Sequence, residues 1–106
     1  MRVLFDQGTP VPLRLALTGR SVSTAYELGW ATLKNGELLR CAEEQGFEVL
    51  VTTDTSLRYQ QNLAARQIAV VVLTTTSWLR IRVAVEPIAY AVNSASVGSY
   101  IEISVP

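Results

Sequence analysis

Short apolar runs alternate with helix-like segments along the whole chain. Residues 2–5, 48–53 and 68–73 are rich in apolar and β-branched side chains and predict strands, and residues 21–25 predict a weaker one. Residues 100–104 alternate between apolar and polar positions, which is typical of a half-exposed edge strand. The continuous apolar run at 68–73 indicates a strand that is covered on both faces.

Helical patterns separate the predicted strands. We expect a short helix over 11–17 and a helix over 55–67. Between them we expect a helix that is capped by Asn35 and ends before Gly46. A last helix carries an apolar stripe with helical spacing, and Pro87 interrupts it, so we expect a kink or two abutting pieces there. The stripe consists of Trp78, Ile81, Val85, Ile88 and Val92.

This order of elements predicts one α/β domain that fills residues 1–106. Strands that alternate with helices give a mostly parallel sheet with helices on both faces, here a three-layer α/β/α arrangement of five strands. A chain of 106 residues can bury a core without disulfide bonds. The longest apolar run is far shorter than the ~20 residues of a membrane span, and no signal-peptide pattern follows Met1, so we expect a cytoplasmic protein with no membrane partner.

The composition says little about the fold but excludes several kinds of catalytic chemistry. The chain contains no histidine and only one cysteine, Cys41, which excludes Ser-His-Asp and Cys-His catalytic sets and the usual zinc sites. A single cysteine also favours a reducing compartment. The nine basic and nine acidic residues cancel, so overall charge does not draw the chain to nucleic acid, and weak charge repulsion favours a homodimer. Carboxylate chemistry with a hard metal remains the main catalytic option.

The only two aspartates, Asp6 and Asp54, directly follow two predicted strands. Open parallel sheets bind ligands outside the carboxyl ends of their strands, so both residues lie where an active site is expected. Two carboxylates at one edge can hold Mg²⁺ or Mn²⁺, an ion that activates water and stabilises charge on a phosphodiester. Two structural alternatives stay open: both aspartates could cap helices or turns, and Asp54 could pair with Arg58.

The segment after Asp54 predicts a surface for an RNA substrate. On a helix, Arg58, Gln61 and Asn62 share a face with Asp54, and they could contact phosphate and ribose. Tyr59 could stack on a base. The alternative is an ordinary solvated helix face.

Other polar and aromatic residues are weaker candidates for a site. Glu27 and Glu37 could each supply a third carboxylate, against the alternative of a surface glutamate. Trp30 and Trp78 are interpreted as core anchors because of their size. Cys41 is interpreted as a small buried hydrophobe within a helix.

Several stretches, in order, resemble the small PIN-like proteins of bacteria and archaea. The opening Val3-Leu4-Phe5-Asp6-Gln7-Gly8-Thr9-Pro10 resembles a strand that ends in Asp-Glu-Asn-x-Pro in that family. Residues 25–30, the helix around 37–39 and Leu50-Val51-Thr52-Thr53-Asp54 also fall in the family's order and spacing. The resemblance covers nearly the whole chain.

The resemblance implies a PIN-like fold and a metal-dependent endoribonuclease. Many such hydrolases are VapC-type toxins of toxin–antitoxin pairs, which implies an antitoxin-like protein as a partner. Active members hold Mg²⁺ or Mn²⁺ with three or four acidic residues. Asp6 and Asp54 match two of these acids, and Glu37 is the carboxylate nearest to a third position.

The match to the family's acidic site is incomplete. Ser56 stands where the family often has a further acid, and the family's early Glu and Asn are Gln7 and Gly8 here. Gln7 and Asn35 could supply neutral oxygen donors in place of the missing carboxylates. We therefore expect a PIN-like ribonuclease with a reduced acidic site, and the alternative is a catalytically inactive PIN-like interaction module.

Overall fold

The computed structural model describes the backbone of residues 1–106 and every side chain except that of Asn35. Its strands are β1 (Arg2–Phe5), β2 (Ser21–Thr24), β3 (Val49–Thr52), β4 (Ala69–Leu73) and β5 (Tyr100–Ile103). They form one sheet in the order β2-β1-β3-β4-β5, and every neighbouring pair is parallel. The predicted five-stranded parallel sheet is confirmed, with β5 at an edge.

Four α-helices and two 3-10 helices join the strands. The helices are α1 (Asn35–Glu44), α2 (Leu57–Gln60), α3 (Trp78–Ile81) and α4 (Val85–Ser94), with 3-10 helices at Val11–Ala16 and Leu63–Ala65. The two abutting pieces are confirmed, but the break lies between Ile81 and Val85 and not at Pro87, which lies in the first turn of α4, where a missing N–H is tolerated. Of the helices described, none is long and apolar enough to cross a membrane.

The ends of α1 lie close to the predicted positions. Lys34, rather than Asn35, occupies the N-cap position, so the helix starts one residue earlier than expected. The proposed side-chain roles of Asn35, as a cap and as a metal donor, lie outside the described residues. Gly46 follows the helix with φ of 80°, a left-handed conformation that glycine adopts without strain, as predicted.

Two apolar clusters, one on each face of the sheet, give the domain three layers. Leu4, Leu50 and Val70 belong to a cluster that includes residues of α1 and α2. Val3 and Val49, their neighbours along the strands, belong to a second cluster with the first 3-10 helix, α3 and α4. Side chains of a strand alternate between faces, which explains this division. We call the first side of the sheet the α1 face and the second the α4 face.

The four connections do not share one hand. The steps from β2 to β3 and from β3 to β4 run the same way along the sheet on the α1 face, and the step from β1 to β2 runs the other way on the α4 face. These three therefore have the same hand. The step from β4 to β5 continues along the sheet but crosses on the α4 face. This last connection therefore has the opposite hand to the other three.

Candidate functional site

Asp6 and Thr52 extend the α1 face beyond the ends of two neighbouring strands. Side chains alternate along a strand, so Asp6 follows Leu4 on this face and Thr52 follows Leu50. Leu4 and Leu50 are register partners in the pairing of β1 with β3. The parallel register therefore brings the aspartate and the threonine to the same edge of the sheet.

Two buried threonines hold the Asp6 carboxylate. Its Oδ1 accepts a hydrogen bond from Thr9 Oγ1 at 2.7 Å, and its Oδ2 accepts one from Thr52 Oγ1. Both threonines are at most 4% exposed, so their hydroxyls have little access to water. Thr9 Oγ1 also lies 2.9 Å from the carbonyl oxygen of Val51, and its single hydrogen serves one acceptor at a time. The carboxylate thus has a fixed direction and keeps lone pairs for a ligand.

Thr52 also connects Asp6 to Asp54. While its hydroxyl donates to Asp6, its Oγ1 accepts the backbone N–H of Asp54 at 3.1 Å. Asp54 in turn accepts the backbone N–H of Ser56 at 2.9 Å and the Ser56 hydroxyl at 2.7 Å, both on Oδ1. This is the Asx-turn expected of an aspartate in that position. It occupies one carboxylate oxygen, so a turn role and a ligand role are compatible at Asp54.

The two aspartates line one cleft of about 370 Å³ at the carboxyl ends of the strands. We call it the aspartate cleft. Lys34 is the basic residue among its lining residues, and Trp30 and Leu33 contribute apolar surface. A second cleft of about 450 Å³ shares Asp6 with the first and is lined by residues that include Thr24, Tyr26 and Glu27. Asp6 therefore stands between two openings in the surface.

Glu27 serves the chain as a capping and ion-pairing residue. Its backbone N–H donates to Thr24 Oγ1 at 3.1 Å, and its Oε1 accepts the N–H of Thr24 at 2.9 Å, which is a capping box. Arg14 pairs with the same oxygen. The Arg14 hydrogen bond, followed by that from Thr24, holds the pKa of Glu27 below its ordinary value of 4.5. Glu27 is thus ionised and lines the second cleft beside Asp6, but its Oε1 is already shared.

The helical turn that Thr24 caps at its start is closed by a glycine. Gly29 has φ of 76°, its N–H donates to Tyr26 O at 3.1 Å, and the N–H of Trp30 donates to Ala25 O at 2.8 Å. This pair of bonds is a Schellman motif. The Trp30 ring then meets the Phe47 ring edge-on, with centroids 6.1 Å apart. Both the backbone and the ring of Trp30 are therefore fixed at the wall of the aspartate cleft.

The structure does not bring Glu37 to the aspartates. Glu37 is exposed in the first turn of α1 and is not among the residues that line either cleft. Its neighbour Leu38 lines the aspartate cleft instead, because successive helix residues are rotated by about 100°. Among the described side chains, no three of His, Cys, Asp and Glu come together as a metal-binding group. Among the described residues, no third carboxylate therefore joins Asp6 and Asp54 in the aspartate cleft.

The predicted helix over 55–67 is wrong. α2 is a single turn, and Gln61 is already extended, with φ of −133° and ψ of 144°. Gln61 and Asn62 therefore do not share a helical face with Asp54 and Arg58. Among the described residues, Asp54 and Arg58 form no ion pair. Arg58 instead donates to the hydroxyl of Tyr59 and lies over its ring, 4.7 Å from the centroid.

Gln61 has a packing role, whereas Tyr59 and Asn62 remain exposed. The side chain of Gln61 accepts a hydrogen bond from Arg66 at 3.1 Å, and it lies so close to Gly36 that a Cβ there would be 3.2 Å from it. Arg66 also pairs with Glu43 of α1 at 2.8 Å. These contacts tie the segment after α2 to α1. Of the four predicted RNA-contacting residues, Arg58, Tyr59 and Asn62 are accessible to a ligand.

Four site residues were not predicted from the sequence. Thr9 and Thr52 hold Asp6, Lys34 lines the aspartate cleft, and Trp30 forms its wall rather than only anchoring the core. For Thr52 a signal existed, because it stands two residues after Leu50 and so continues the α1 face. For Trp30 and Lys34 the signal was the loop that follows β2, since such loops carry sites in parallel sheets.

The chain is thus a three-layer α/β/α domain with an acidic cleft at the carboxyl ends of its parallel strands. No protein-family model, no curated protein and no solved structure matches it. Its function has to be inferred from the residues of the cleft.

Thr52→Val tests the link between the two aspartates, because valine keeps the shape and removes the hydroxyl. Asp6 then loses a donor and the part-buried N–H of Asp54 loses an acceptor. We expect the free energy of unfolding, measured by urea denaturation, to fall by about 1–3 kcal/mol. Thr53→Val is the matched control and should change it by about 0.5 kcal/mol or less. Equal stability of Thr52→Val and wild type would contradict the link.

Glu27→Gln tests the ionised capping box through pH. The folded-state pKa of Glu27 is lowered, so its stabilisation is complete above the unfolded value near 4.5 and is lost as pH falls through the folded value. We expect the variant to be less stable than wild type at neutral pH, with the gap closing in acid below pH 4.5. Glu44→Gln, the same charge change at an exposed site on α1, is the control. A gap that persists unchanged in acid would refute the assignment.

Proposed function

We propose that this protein is a PIN-like endoribonuclease that uses Mg²⁺ or Mn²⁺, with Asp6 and Asp54 as the protein ligands of the metal. One observation carries the proposal: the only two aspartates, from different strands, line one cleft and are joined through the Thr52 hydroxyl. The resemblance of the strand ends to PIN-like proteins supports it independently.

The donor atoms of the aspartate cleft suit these ions. Mg²⁺ and Mn²⁺ prefer oxygen ligands, and Mg²⁺ is commonly held by only one or two carboxylates, with waters and substrate phosphates completing the shell. Asp6 and Asp54 are half-buried and open to the cleft, and Gln7 lines it beside them. Two carboxylates with a phosphate-bearing substrate therefore make an adequate set.

The chain's own residues have distinct parts in the proposed reaction. A bound ion would activate water and offset negative charge on the phosphodiester. Thr9 and Thr52 fix the direction of Asp6, so less ordering is required when substrate binds. Lys34 offers a cation to a phosphate oxygen at the same cleft. Arg58 and Tyr59, exposed just after Asp54, extend the surface for an RNA strand.

A toxin–antitoxin role in the cytoplasm, with an antitoxin-like protein as partner, belongs to the same proposal. Exposed apolar side chains on the α4 face support a protein partner, which could also be a second copy of the chain. Leu15 is 81% exposed, and Leu79 and Val83 are 69% and 76% exposed. They lie on the first 3-10 helix and on and after α3, two elements that pack against each other.

The second candidate is a non-catalytic interaction module with the same fold. The observation that favours it is Lys34, which lines the aspartate cleft where an ion would otherwise balance the carboxylates. One ammonium group offsets the charge of one of the two carboxylates. In this reading the cleft is a remnant in which Lys34 offsets part of the carboxylate charge, and the exposed apolar surface carries the function.

RNA cleavage in Mg²⁺ or Mn²⁺ separates the two candidates. We expect wild type to cleave single-stranded RNA and Asp6→Asn to do so about 100-fold more slowly or worse, because the carboxylate charge holds the ion. Glu86→Gln, a carboxylate-to-amide change at an exposed site on α4, should cleave like wild type. Cleavage by Asp6→Asn at the wild-type rate would remove the ribonuclease proposal, and an inactive wild type would favour the module.

A further inference from the structure

The aspartate cleft is more apolar than a metal and a phosphodiester require. Most of its lining residues are hydrophobic, and the half-buried ones, Trp30 and Leu33, bring apolar surface to the opening. A site for charged phosphate alone would have no use for an indole ring in its wall. Ligand sites typically combine such apolar walls with a few convergent polar groups. The cleft is thus built for a ligand that is part apolar ring and part anion.

Trp30 is held in place before any ligand arrives. The Schellman motif fixes its backbone N–H on Ala25, and its carbonyl oxygen accepts the N–H of Leu33 at 3.0 Å. The edge-on contact with Phe47, itself 2% exposed, fixes the ring. A rigid aromatic wall costs little entropy when a flat group packs against it. This favours a planar ring as the apolar part of the ligand.

Lys34 and the aspartates define the charged part. Lys34 lies four residues after Trp30 and lines the same cleft, with Asp6 and Asp54 also at it. A cationic side chain and an aromatic side chain that line one cleft suit a phosphate attached to a base. The cleft volume of about 370 Å³ is near the lower end of the about 300–1,000 Å³ of small-ligand sites, so it suits one nucleotide unit rather than a stacked pair.

We propose that the aspartate cleft seats a single unstacked nucleobase of a single-stranded RNA. The base packs against Trp30 and Leu33, its phosphate contacts Lys34, and the neighbouring phosphodiester reaches Asp6 and Asp54. The proposal rests on the ribonuclease function and adds a base seat to it. It requires single-stranded substrate, because a paired and stacked base cannot enter a cleft in the protein surface.

Binding of RNA without metal tests the base seat separately from cleavage. The probe is a labelled single-stranded RNA of about ten nucleotides in EDTA, followed by fluorescence anisotropy. A chain of equal length that lacks its bases keeps the phosphates and should bind wild type about 5- to 100-fold more weakly, as expected from loss of base–aromatic stacking. A blunt duplex and free AMP should also bind at least about 5-fold more weakly than the single strand.

Variants at Trp30 test whether the preference for the base-containing strand arises in the aspartate cleft. Trp30→Leu should largely remove the preference for the base-containing strand, whereas Trp30→Phe should keep it because a ring remains. Trp78→Leu is the matched control on the α4 face and should retain the preference. Melting temperatures of all three show that each variant is folded.

Two results would overturn the base seat. One is that wild type binds the base-free chain or the duplex as tightly as the intact single strand, whereas equally tight binding of AMP would overturn RNA as the ligand. The other is equal loss of preference in Trp30→Leu and Trp78→Leu. Cleavage of RNA together with base-independent binding would remove the base seat and leave the ribonuclease standing. Base-dependent binding with no cleavage in Mg²⁺ or Mn²⁺ would remove the ribonuclease and leave the base seat standing.

Discussion

The hydroxyl of Thr52 is the group on which the geometry of the functional edge depends. It has one hydrogen, which it donates to Asp6, and its oxygen accepts the backbone N–H of Asp54. Because Thr52 is 2% exposed, water cannot easily replace either bond. A single buried oxygen atom therefore links the side chain of one aspartate to the backbone of the other, while Thr9 holds the second oxygen of Asp6. The parallel register of β1 and β3 is what makes this contact possible.

The loop that follows β2 forms the wall of the aspartate cleft that faces the strand ends. The capping box of Thr24 and Glu27 and the glycine at position 29 fix both ends of one helical turn, so Trp30 and Lys34 start from a defined position. The cleft between this loop and the strand ends then combines two carboxylates, one ammonium and an aromatic ring. Such a mixture is unusual for a site that only holds a metal, but it suits a nucleotide that brings its own anion and ring.

The strands were predictable from sequence because alternation and apolar runs report burial directly. The bounds of β1 matched the prediction, and β4 matched within one residue. The helix over 55–67 was not predictable in this way. Its apolar stripe is thin, and the chain becomes extended at Gln61. The side chain of Gln61 accepts a hydrogen bond from Arg66, and Arg66 pairs with Glu43 on α1. Long-range contacts of that kind leave no local pattern.

The candidate site was predictable only in part, for related reasons. Asp6 and Asp54 could be placed because they terminate strands, and the sheet edge follows from topology. Glu37 could not be excluded by its sequence position, since the rotation of α1 decides whether it or Leu38 faces the cleft. The size of Trp30 predicts a core anchor, and it does pack against the α1-face cluster, but a sequence pattern cannot show that part of its surface stays open.

Binding of Mn²⁺ is the most direct test of the central claim that Asp6 and Asp54 together form a metal site. An ion that binds only the native state raises the melting temperature by mass action. Wild type should melt at a higher temperature in millimolar Mn²⁺, and Asp6→Asn and Asp54→Asn should each lose the shift, while Glu86→Gln keeps it. An absent shift in wild type, or an undiminished shift in both aspartate variants, would contradict the claim.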